Sequence, residues 1–456
     1  MIDLPQSALM IINQLRQSGY EGYAVGGSVR DCILNRPTKQ WDFTTNATPK
    51  QIMQLFPDSF YDNEFGTVGI KIKNQSGEII DIYEITTFRS EQGYKDRRHP
   101  DHIVWGSSLT EDLARRDFTI NAIAADGKSI IDPYAGQQDL SEKIIRTVGD
   151  PNERFREDAL RLFRAVRIAT ELGFMIEPKT FSALQTNAHL LQHISADRIR
   201  NELMRLLSSK FAADGILVLK NSGLLREFLP ELDQAFSIPQ KSPMRHHKYD
   251  VGTHLVESLR FTPATDPLVK CATLLHDIGK PVVFKKDPKT DLITFFNHET
   301  VGAGIVKRIV HRLNFSKKDA DKLIKLVRWH QFTVDEQQTD ATLRRFIKRV
   351  GKENLKDILD LRIGDRLGGG ARETSWRLRL FIKRLEEVQK QPFTVADLKV
   401  SGHDVMHIFG ISSGPLVGRI LNELFTEVIT QKLENQREVL LKRLNRLKEV
   451  ETSVTK

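Results

Sequence analysis

The feature that most constrains this chain is a glycine-rich turn between a short strand pattern and a helical pattern. The turn is Gly-Gly-Ser-Val-Arg-Asp at residues 26–31, directly after the apolar segment Tyr23–Val25. It exposes backbone N–H groups and a hydroxyl at the start of a helix, an arrangement that binds phosphate. Asp42 follows on the next β-rich segment, where a carboxylate can hold a divalent cation against the phosphates. Taken alone, Gly-Gly-Ser is equally consistent with a plain turn.

Length and composition indicate a multidomain globular protein. A chain of 456 residues exceeds one ordinary core, which predicts two to four domains. No apolar run approaches the length that spans a bilayer, and the N-terminal segment lacks the basic region of a signal peptide. The only cysteines, Cys32 and Cys271, lie far apart, which favours a reducing, cytoplasmic setting without a disulfide.

The charge balance is basic, and its local excesses suggest an RNA partner. The chain has 68 Lys and Arg against 59 Asp and Glu, a net charge of +9, which is compatible with a polyanionic ligand. Arg344–Arg349 and Lys432–Lys448 are cation-rich and are candidate RNA contacts. Such runs are more often solvated faces of helices, so both interpretations stay open.

The pattern of apolar residues changes along the chain. Residues 1–148 alternate helical and strand-like patterns, whereas the spacing after Pro151 is almost entirely helical. The polar stretch Ser90–Pro100 predicts an exposed loop. Pro239–Pro243 is interpreted as a linker, and Gly368–Gly370 marks a second break.

Two further segments place cations and polar groups at helical spacing. In Glu111–Ala122, Arg116 can bind a phosphate in bidentate fashion and Asn121 can bond a ribose hydroxyl, although a structural ion-pair helix explains the segment equally well. Asp158 and Arg161 are three residues apart, which predicts a shared helix face. Together they can read the Watson–Crick edge of a base; without context, an ordinary salt-bridged helix is the favoured alternative.

Four motifs in order carry a family resemblance. They are Gly-Gly-Ser-Val-Arg-Asp at 26–31, the Asp42 segment ending in Asn-Ala-Thr-Pro at 46–49, Arg-Arg-Asp-Phe-Thr-Ile-Asn-Ala at 115–122, and Glu-Asp-x-x-Arg at 157–161. The set resembles the class II tRNA nucleotidyltransferase and poly(A) polymerase family over about the first 240 residues. Asp-Arg-Ile-Arg-Asn-Glu-Leu at 197–203 is similar to the helix that follows in that family, and residues 402–418 are similar to the tail of its bacterial members.

The resemblance implies a fold and a division into domains. An α/β nucleotidyltransferase head with a mixed sheet like that of polymerase β is expected over residues 1–148. An all-α remainder follows, with a neck that selects the base at 149–238, an HD phosphohydrolase-like domain at 239–370 and a tRNA-binding body and tail at 371–456.

The resemblance also implies an activity: addition of C and A from CTP and ATP to the 3′ end of tRNA, without a nucleic-acid template and with release of pyrophosphate. Asp42 and Glu84 would be the catalytic carboxylates that hold Mg²⁺, which activates the tRNA hydroxyl and neutralises pyrophosphate. In the base-selecting set, Glu157 would orient Arg161, which pairs with the incoming base together with Asp158. The remaining nucleotide-binding residues implied for phosphate and sugar are Gly27, Ser28, Arg30, Arg116, Asp117 and Asn121.

One position departs from the family pattern. The family has Asp-x-Asp at the metal-binding turn, whereas this chain has Gln40-Trp41-Asp42. An amide oxygen can ligate a cation but brings no charge, so the first carboxylate is lost. This puts a two-metal mechanism in doubt; because the nucleotide-reading residues are intact, activity is favoured over a silent head.

A second constellation combines histidines and aspartates in helical surroundings. Imidazole and carboxylate ligands in such a pattern suit a transition metal. The ordered set resembles the HD phosphohydrolase superfamily, which implies one metal, such as Mn²⁺ or Ni²⁺, and hydrolysis of a phosphoester by metal-bound water. The implied ligands of that metal are His254, His276, Asp277 and Asp365, and His298 and His330 could support a second metal.

Several alternatives share these motifs. An enzyme that adds only CC, one that adds only A, and a poly(A) polymerase all have the same head and neck motifs. A different class of protein is an HD phosphohydrolase whose head is an inactive RNA-binding module, which the substitution at Gln40 favours. A silent RNA-binding protein is the last alternative, and the oligomeric state is not visible from the sequence.

Overall fold

The computed structural model describes residues 2–38, 40–61, 66–74, 76–92, 102–105, 108–241, 248–372, 375–389, 395–429 and 432–454. The chain forms two compact units. The first comprises Met1–Arg328 with Gly364–Gly370, and the second comprises Trp329–Ile363 with Ala371–Lys456. The domain boundaries at 148, 238 and 370 stay a prediction.

A seven-stranded mixed sheet forms the N-terminal part of the first unit, as predicted. The spatial order of its strands is β3-β4-β5-β2-β1-β8-β9. Its strands are β1 (Gly22–Val25), β2 (Asp42–Thr45), β3 (Ser59–Tyr61), β4 (Thr67–Lys73), β5 (Ile79–Thr87), β8 (Ala124–Ala125) and β9 (Ile130–Ile131). The other strands form two-stranded ladders: β6 (Arg89–Gln92) with β7 (His102–Trp105), β10 (Ile144–Ile145) with β11 (Met175–Ile176), and β12 (Lys285–Lys286) with β13 (Ile293–Thr294).

The register of the sheet places β2 between two partners of opposite direction. β1 pairs with β2 antiparallel, and β5 pairs with β2 parallel. Apolar side chains of these strands are fully buried, among them Val25, Phe43 and Ile85. Because successive residues of a strand point to opposite faces, Asp42 and Glu84 project away from that buried face.

Helices make up most of the rest of the first unit, because apolar side chains recur there at helical spacing. Those of the head and the region after it are α1 (Gln6–Gln17), α2 (Gly27–Ile33), α3 (Pro49–Leu55), α4 (Leu109–Ala114), α5 (Gly136–Glu142), α6 (Pro151–Glu157), α7 (Leu160–Leu172), α8 (Pro178–Asn187), α9 (Ala196–Ser208), α10 (Ala212–Asn221), α11 (Leu224–Phe228) and α12 (Pro230–Ala235). They are followed by α13 (Val251–Phe261), α14 (Pro267–Leu275), α15 (Lys280–Val283), α16 (His298–Arg312) and α17 (Lys317–Trp329).

The second unit is helical in its described residues. Its helices are α18 (Asp340–Val350), α19 (Leu355–Gly368, whose last residues belong to the first unit), α20 (Trp376–Gln389), α21 (Gly402–Phe409), α22 (Pro415–Ile429) and α23 (Arg437–Val454). A core of buried side chains that includes Val405, Leu424 and Leu440 joins the last three helices. Among the described residues, none of the helices combines the length and the hydropathy that a bilayer-spanning segment requires.

The structure corrects the prediction of one helix across Glu111–Ala122. α4 ends at Ala114, and Asn121 lies in a separate 3₁₀ turn, Thr119–Asn121. Between them the backbone pairs with residues 146–148: Thr119 N–H donates to the Arg146 carbonyl at 3.0 Å, and the Asp117 carbonyl accepts from Val148 N–H at 3.2 Å. These long-range bonds end the helix, which local spacing cannot predict.

The prediction that Asp158 and Arg161 share one helix face is also wrong. Asp158 is extended (φ −136°, ψ 105°) and stands between α6 and α7. Its carboxylate accepts from the Leu160 N–H at 3.0 Å, which stabilises the start of α7. An aspartate that caps a new helix therefore interrupts the apparent periodicity.

Two predicted irregular segments turn out differently. Ser90–Gln92, the start of the predicted loop, lie in β6, while residues 93–100 fall outside the described residues. In the predicted linker, Gln240 is buried and accepts a hydrogen bond from Lys280 Nζ at 2.6 Å, whereas residues 242–243 are not described. α19 ends at Gly368, in agreement with the break predicted there.

Candidate functional site

Two carboxylates stand side by side on neighbouring strands of the head sheet. Asp42 opens β2 and is the direct register partner of Glu84 in β5. Both side chains are exposed, whereas their strand neighbours Phe43 and Ile85 are buried. Residues at matching positions of paired strands share a face, so the two carboxylates present oxygen ligands to one point in solvent. Oxygen ligands of this kind suit Mg²⁺.

The electrostatic surroundings of Asp42 differ from those of a surface aspartate. Desolvation by the neighbouring protein raises the pKa of the Asp42 carboxyl, although Arg116 and Arg164 oppose this rise. Although the side chain is exposed, neighbouring protein partly displaces water around it, and a carboxylate with fewer water contacts gains more from a bound cation than one that water solvates fully. Asp42 is therefore suited to bind a cation.

Gly26 brings the glycine-rich turn close to this carboxylate. Its φ of +78° lies in the left-handed region, which favours glycine. A Cβ at Gly26 would lie 3.1 Å from Arg116 Nη1 and 3.5 Å from Asp42 Oδ2. A side chain would therefore crowd the guanidinium and the carboxylate, which explains the glycine at this position.

Arg116 is fixed by a buried acid and keeps one donor unused. Asp112 Oδ2 lies 3.3 Å from Arg116 Nη2, and Asp112 also pairs with Arg115 at 2.7 Å and accepts from Thr44 Oγ1 at 3.2 Å. Arg116 Nε is buried and has no hydrogen-bond partner among the described residues. A buried donor without a partner costs free energy, and an anion such as a phosphate would satisfy it.

Asp117 organises a network that reaches the glycine-rich turn. It accepts from Arg164 at 2.6 and 2.9 Å and from Asn121 Nδ2 at 3.0 Å. Burial would raise the pKa of the Asp117 carboxyl, but Arg164 and Asn121 outweigh burial and hold it far below its usual range. Asn121 Oδ1 in turn accepts from Arg30 Nη1 at 2.8 Å. Three of the implied phosphate- and sugar-binding residues, Asp117, Asn121 and Arg30, are therefore joined in one hydrogen-bonded chain.

Two polar side chains of the glycine-rich turn, Ser28 and Arg30, already have partners within the protein. The Ser28 hydroxyl is buried and donates to the Val25 carbonyl at 2.9 Å, so its proton is used in holding the turn. Arg30 also pairs with the adjacent Asp31 at 2.9 Å. Gly27 opens α2, and a Cβ there would lie 3.4 Å from Arg30 Nη2.

The implied base-selecting residues lie at the junction of α6 and α7. Arg161 Nη1 donates to Glu157 at 2.5 Å, and Arg161 Nη2 donates to the Arg115 carbonyl at 3.0 Å. Asp158 lies 3.2 Å from Arg198 Nη2 of α9. The guanidinium of Arg161 is thus held by the motif at 115–122, which links the head to this junction.

Sequence reasoning missed three residues that position the site. They are Asp112, which holds Arg116; Arg164, which holds Asp117; and Arg198, which faces Asp158. Two sequence signals pointed to such roles: the four-residue spacing of Asp112 and Arg116, and the arginines at every third position from Arg161. Their partners lie on other elements in two of the three cases, so spacing alone could not assign them.

A second cluster lies in the helical part of the first unit. His254 from α13, His276 at the end of α14 and Asp365 from α19 offer ligand atoms within 4.8 Å of one another. His254 Nε2 lies 3.3 Å from Asp365 Oδ1 and 3.4 Å from Asp277 Oδ2. His298 Nε2 is 3.1 Å from Asp277 Oδ1. The structure therefore brings together these five predicted ligands.

Backbone carbonyls orient two of these imidazoles. His276 Nδ1 lies 2.7 Å from the Thr273 carbonyl, and His298 Nδ1 lies 2.8 Å from the Phe295 carbonyl. If each Nδ1 carries the proton, each Nε2 faces the carboxylates with its lone pair, as in metal-binding histidines. The donor set of imidazole nitrogens and carboxylate oxygens fits a transition metal.

Without a cation, opposite charges within the cluster compensate one another. Burial lowers the pKa of His276, but Asp277 and Asp365 outweigh burial and raise it to about 10. Lys280 Nζ, which sequence reasoning missed, lies 2.5 Å from Asp277 Oδ2. His330, a further predicted ligand, is buried and belongs to the second unit, so its role as a ligand stays a prediction.

Three family models match successive parts of the chain. Residues 22–146 match "Poly A polymerase head domain". Residues 173–236 match "Probable RNA and SrmB-binding site of polymerase A", and residues 289–444 match the second domain of tRNA nucleotidyltransferases. The first match covers the head sheet with Asp42, Glu84 and Arg116.

Known proteins resemble the chain over most or nearly all of its length. It is 33% identical to the CCA-adding enzyme of Ligilactobacillus salivarius, over 97% of each chain. It is 38% identical to the A-adding tRNA nucleotidyltransferase of Deinococcus radiodurans, over 71% of this chain and 76% of that one. A crystal structure of the Bacillus stearothermophilus CCA-adding enzyme in complex with CTP superposes with a TM-score of 0.65 at 29% identity, over 98% of both chains. The chain therefore belongs to the family of CCA-adding enzymes, the class II tRNA nucleotidyltransferases.

Proposed function

We propose that this enzyme adds C and A nucleotides from CTP and ATP to the 3′ end of tRNA, without a nucleic-acid template, and releases pyrophosphate. The observation that carries the proposal is the full-length similarity to a CCA-adding enzyme. The adjacent carboxylates Asp42 and Glu84 and the unused donor of Arg116 support it, because they offer cation ligands and a phosphate donor at one place. The cytoplasmic location stays a prediction.

Asp42 and Glu84 would hold Mg²⁺. A bound Mg²⁺ would lower the pKa of the tRNA 3′-hydroxyl and neutralise charge on the leaving pyrophosphate. The residues fit this cation, since hard oxygen ligands from neighbouring strands project from one face of the sheet. Gln40, with an exposed side chain two residues before Asp42, would add at most a neutral ligand. We therefore expect weaker cation binding than at a site with two aspartates.

Arg116 would bind the triphosphate. Its position is preset by Asp112, which pairs with Nη2, and its Nε has no partner among the described residues. Gly27, Ser28 and Arg30 would face the same phosphates from the turn, while Asp117 and Asn121 hold the sugar and position Arg30. Preset donors lower the free energy that ordering would otherwise cost.

Asp158 and Arg161 would select the base. The carboxylate of Asp158 accepts from an exocyclic amine, and the guanidinium of Arg161 donates to ring nitrogens or carbonyls. Glu157 would orient Arg161, in agreement with their 2.5 Å separation. Because Arg198 also contacts Asp158, movement of α9 would change how this carboxylate is presented.

Primer extension tests the transferase activity. Purified protein is given tRNA that lacks CCA, with Mg²⁺ and labelled CTP or ATP singly and together. We expect addition of two residues with CTP alone and three with both nucleotides, lost in Asp42→Ala and kept in the control Asp58→Asn, an exposed carboxylate paired with Lys73 elsewhere in the head. Addition of A alone, and only to tRNA ending in CC, would identify an A-adding enzyme instead. No incorporation by the wild-type chain or by Gln40→Asp, even with Mn²⁺, would refute the transferase proposal.

The histidine cluster supports a second candidate function, that of an HD phosphohydrolase. His254, His276, Asp277 and Asp365, with His298, would hold a metal such as Mn²⁺ or Ni²⁺. A bound metal of this kind would supply an acidified water for attack on a phosphoester. The supporting observation is the pair of backbone carbonyls at Thr273 and Phe295, which would keep imidazole nitrogens directed at one point.

Metal retention and hydrolysis test this second candidate separately. Protein loaded with Ni²⁺ or Mn²⁺ and then desalted should retain one metal, and it should release product from 2′,3′-cyclic nucleotides. His276→Ala should lose both properties while primer extension persists. The control His311→Ala replaces a histidine of α16 outside the cluster. Equal metal content in wild type and His276→Ala would contradict the site.

A further inference from the structure

A cavity in the second unit is not used by either proposed site. It has a volume of about 380 Å³, within the range of about 300–1,000 Å³ that is typical of small-ligand sites. Its lining combines aromatic rings with polar and cationic side chains from the segment after α17, from α18 and from α20.

Aromatic rings form one side of the cavity. The ring centroids of Phe332 and Phe346 lie 4.7 Å apart, and Phe381 lies 5.4 Å from Phe332. Trp329 also lines the cavity. Flat rings of this kind accept another planar ring by stacking, as in the recognition of single-stranded nucleic acids.

Two arginines line the same cavity, and neither has an acidic partner among the described residues. Arg345 and Arg349 are one turn apart on α18, where like charges repel each other. In the part of the chain that the structure describes, neither guanidinium forms an ion pair. The nearby acids are occupied, since Glu336 pairs with Arg377 at 2.8 Å and Asp340 with Arg384 at 3.0 Å. An anionic ligand would relieve the repulsion.

A buried acceptor supplies an independent observation. Gln338 lines the cavity, and its Nε2 donates to the Thr333 carbonyl at 2.9 Å. Its Oε1 is buried and has no partner within the described residues. An unsatisfied buried acceptor requires a donor, and the exocyclic amine of adenine, cytosine or guanine is one that sits on a planar ring.

We propose that this cavity binds one unstacked nucleotide of the RNA substrate, with its base among the aromatic rings and its phosphate at Arg345 and Arg349. The proposal rests on the proposed function, which supplies RNA as the ligand. Recognition of RNA by side chains relies on unstacked bases that stack on aromatic rings, because the deep groove of the A-form helix is closed to them. The acceptor of Gln338 selects a base with an exocyclic amine over uracil.

Ultraviolet cross-linking and binding measurements test the proposal. The full-length protein with tRNA should give a cross-link between one unpaired nucleotide and the peptide that contains Trp329–Phe346. The double variant Arg345→Ala/Arg349→Ala should bind tRNA about tenfold more weakly, with a shallower salt dependence, since both cations that contact the phosphate are lost. The control Lys383→Ala removes an exposed cation of α20 and should stay within twofold of wild type.

Three outcomes would overturn the proposal. One is the absence of a cross-link to this peptide; another is a double variant that binds like Lys383→Ala. The third is a free nucleotide, AMP or CMP, that occupies the cavity as tightly as RNA does and so identifies a small molecule as the ligand. Gln338→Leu should abolish the preference for a base with an exocyclic amine. Failure of primer extension is a separate result, because Asp42→Ala should cross-link as wild type does.

Discussion

The carboxylates of the head and the histidine cluster, the two proposed cation sites, differ in their ligands and in their burial. In the head, Asp42 and Glu84 come from neighbouring strands and remain exposed, so the ligands are few, hard and open to solvent. In the cluster, imidazoles and carboxylates come from separate helices and are mostly buried. An open oxygen site suits a cation that arrives with phosphates, whereas a closed nitrogen-and-oxygen site suits a resident transition metal.

The two regions also differ in how charge is balanced without a cation. Around Asp42 the compensating positive charge comes from Arg116 and Arg164, and a change of pH does not remove it because arginine stays protonated. In the cluster it is supplied by His276 and Lys280 beside Asp277, so protons and a metal compete for the same groups. We therefore expect the head to compensate charge brought by a substrate and the cluster to compensate charge brought by a metal.

The largest expected effect is on the chemistry of the head. Asp42→Asn should lower nucleotide addition about a thousandfold, because it removes one of two charged ligands at the point where charge develops. Metal retention by the histidine cluster should not change. Single-turnover primer extension measures the first quantity and metal analysis the second. A loss of both in the same variant would break the distinction between the two regions.

The second-largest expected difference between the two regions is in the reactivity of their cysteine thiols. Cys271 in α14 is fully enclosed, and burial raises its pKa to about 12, so its thiolate is about a thousandfold scarcer than that of an ordinary thiol. Burial also raises the pKa of Cys32 in α2, but this side chain is partly exposed. A thiol reagent should therefore label one cysteine quickly in the native protein and two after unfolding. Equal rates for both would show that the helices around the cluster open readily.

A smaller effect is expected from restoring the family's first acid. Gln40→Asp should lower the Mg²⁺ concentration for half-maximal nucleotide addition by about three- to tenfold, because a second charge beside Asp42 attracts the cation. A Mg²⁺ titration of initial rates measures it. Gln54→Asp, on the exposed side of α3, adds the same charge elsewhere in the head and serves as control. An unchanged requirement would mean that residue 40 does not reach the cation.

The smallest effect lies outside both regions. Asp404 caps α21 and pairs with Arg437 at 2.6 Å, and the bonds from Arg437 and Ser401 lower its pKa to about 2. A lowered carboxyl pKa stabilises the fold above about pH 4, and this stabilisation is lost as pH falls towards 2. Asp404→Asn should cost about 0.5–1 kcal/mol at neutral pH, since solvent screens an exposed pair.

Urea unfolding at pH 7 and pH 3 measures this contribution. The difference between wild type and Asp404→Asn should shrink at the lower pH, with primer extension and metal retention unchanged at pH 7. A constant difference would assign the effect to packing instead of charge.

The local sequence pattern predicted helices and strands, but it did not predict the residues at which they end. The glycine-rich turn, β1 and β2 lie where strand and helix periodicity predicted them. The continuous helix expected across Glu111–Ala122 failed because Asp117 and Thr119 form backbone bonds with residues 146–148. Asp158 likewise ends one helix and caps the next, so its distance in sequence from Arg161 did not describe its position.

The available chemistry follows from the amino-acid sequence: a turn with a positive φ that favours glycine at Gly26, acids on a strand, and histidines and aspartates that can act as ligands. Tertiary structure alone decided which of them meet. Asp42 becomes the neighbour of Glu84 through the pairing of β2 with β5, and His254 meets Asp365 through the packing of α13 with α19. Such approaches depend on burial of apolar surface summed over whole elements, which no single motif encodes.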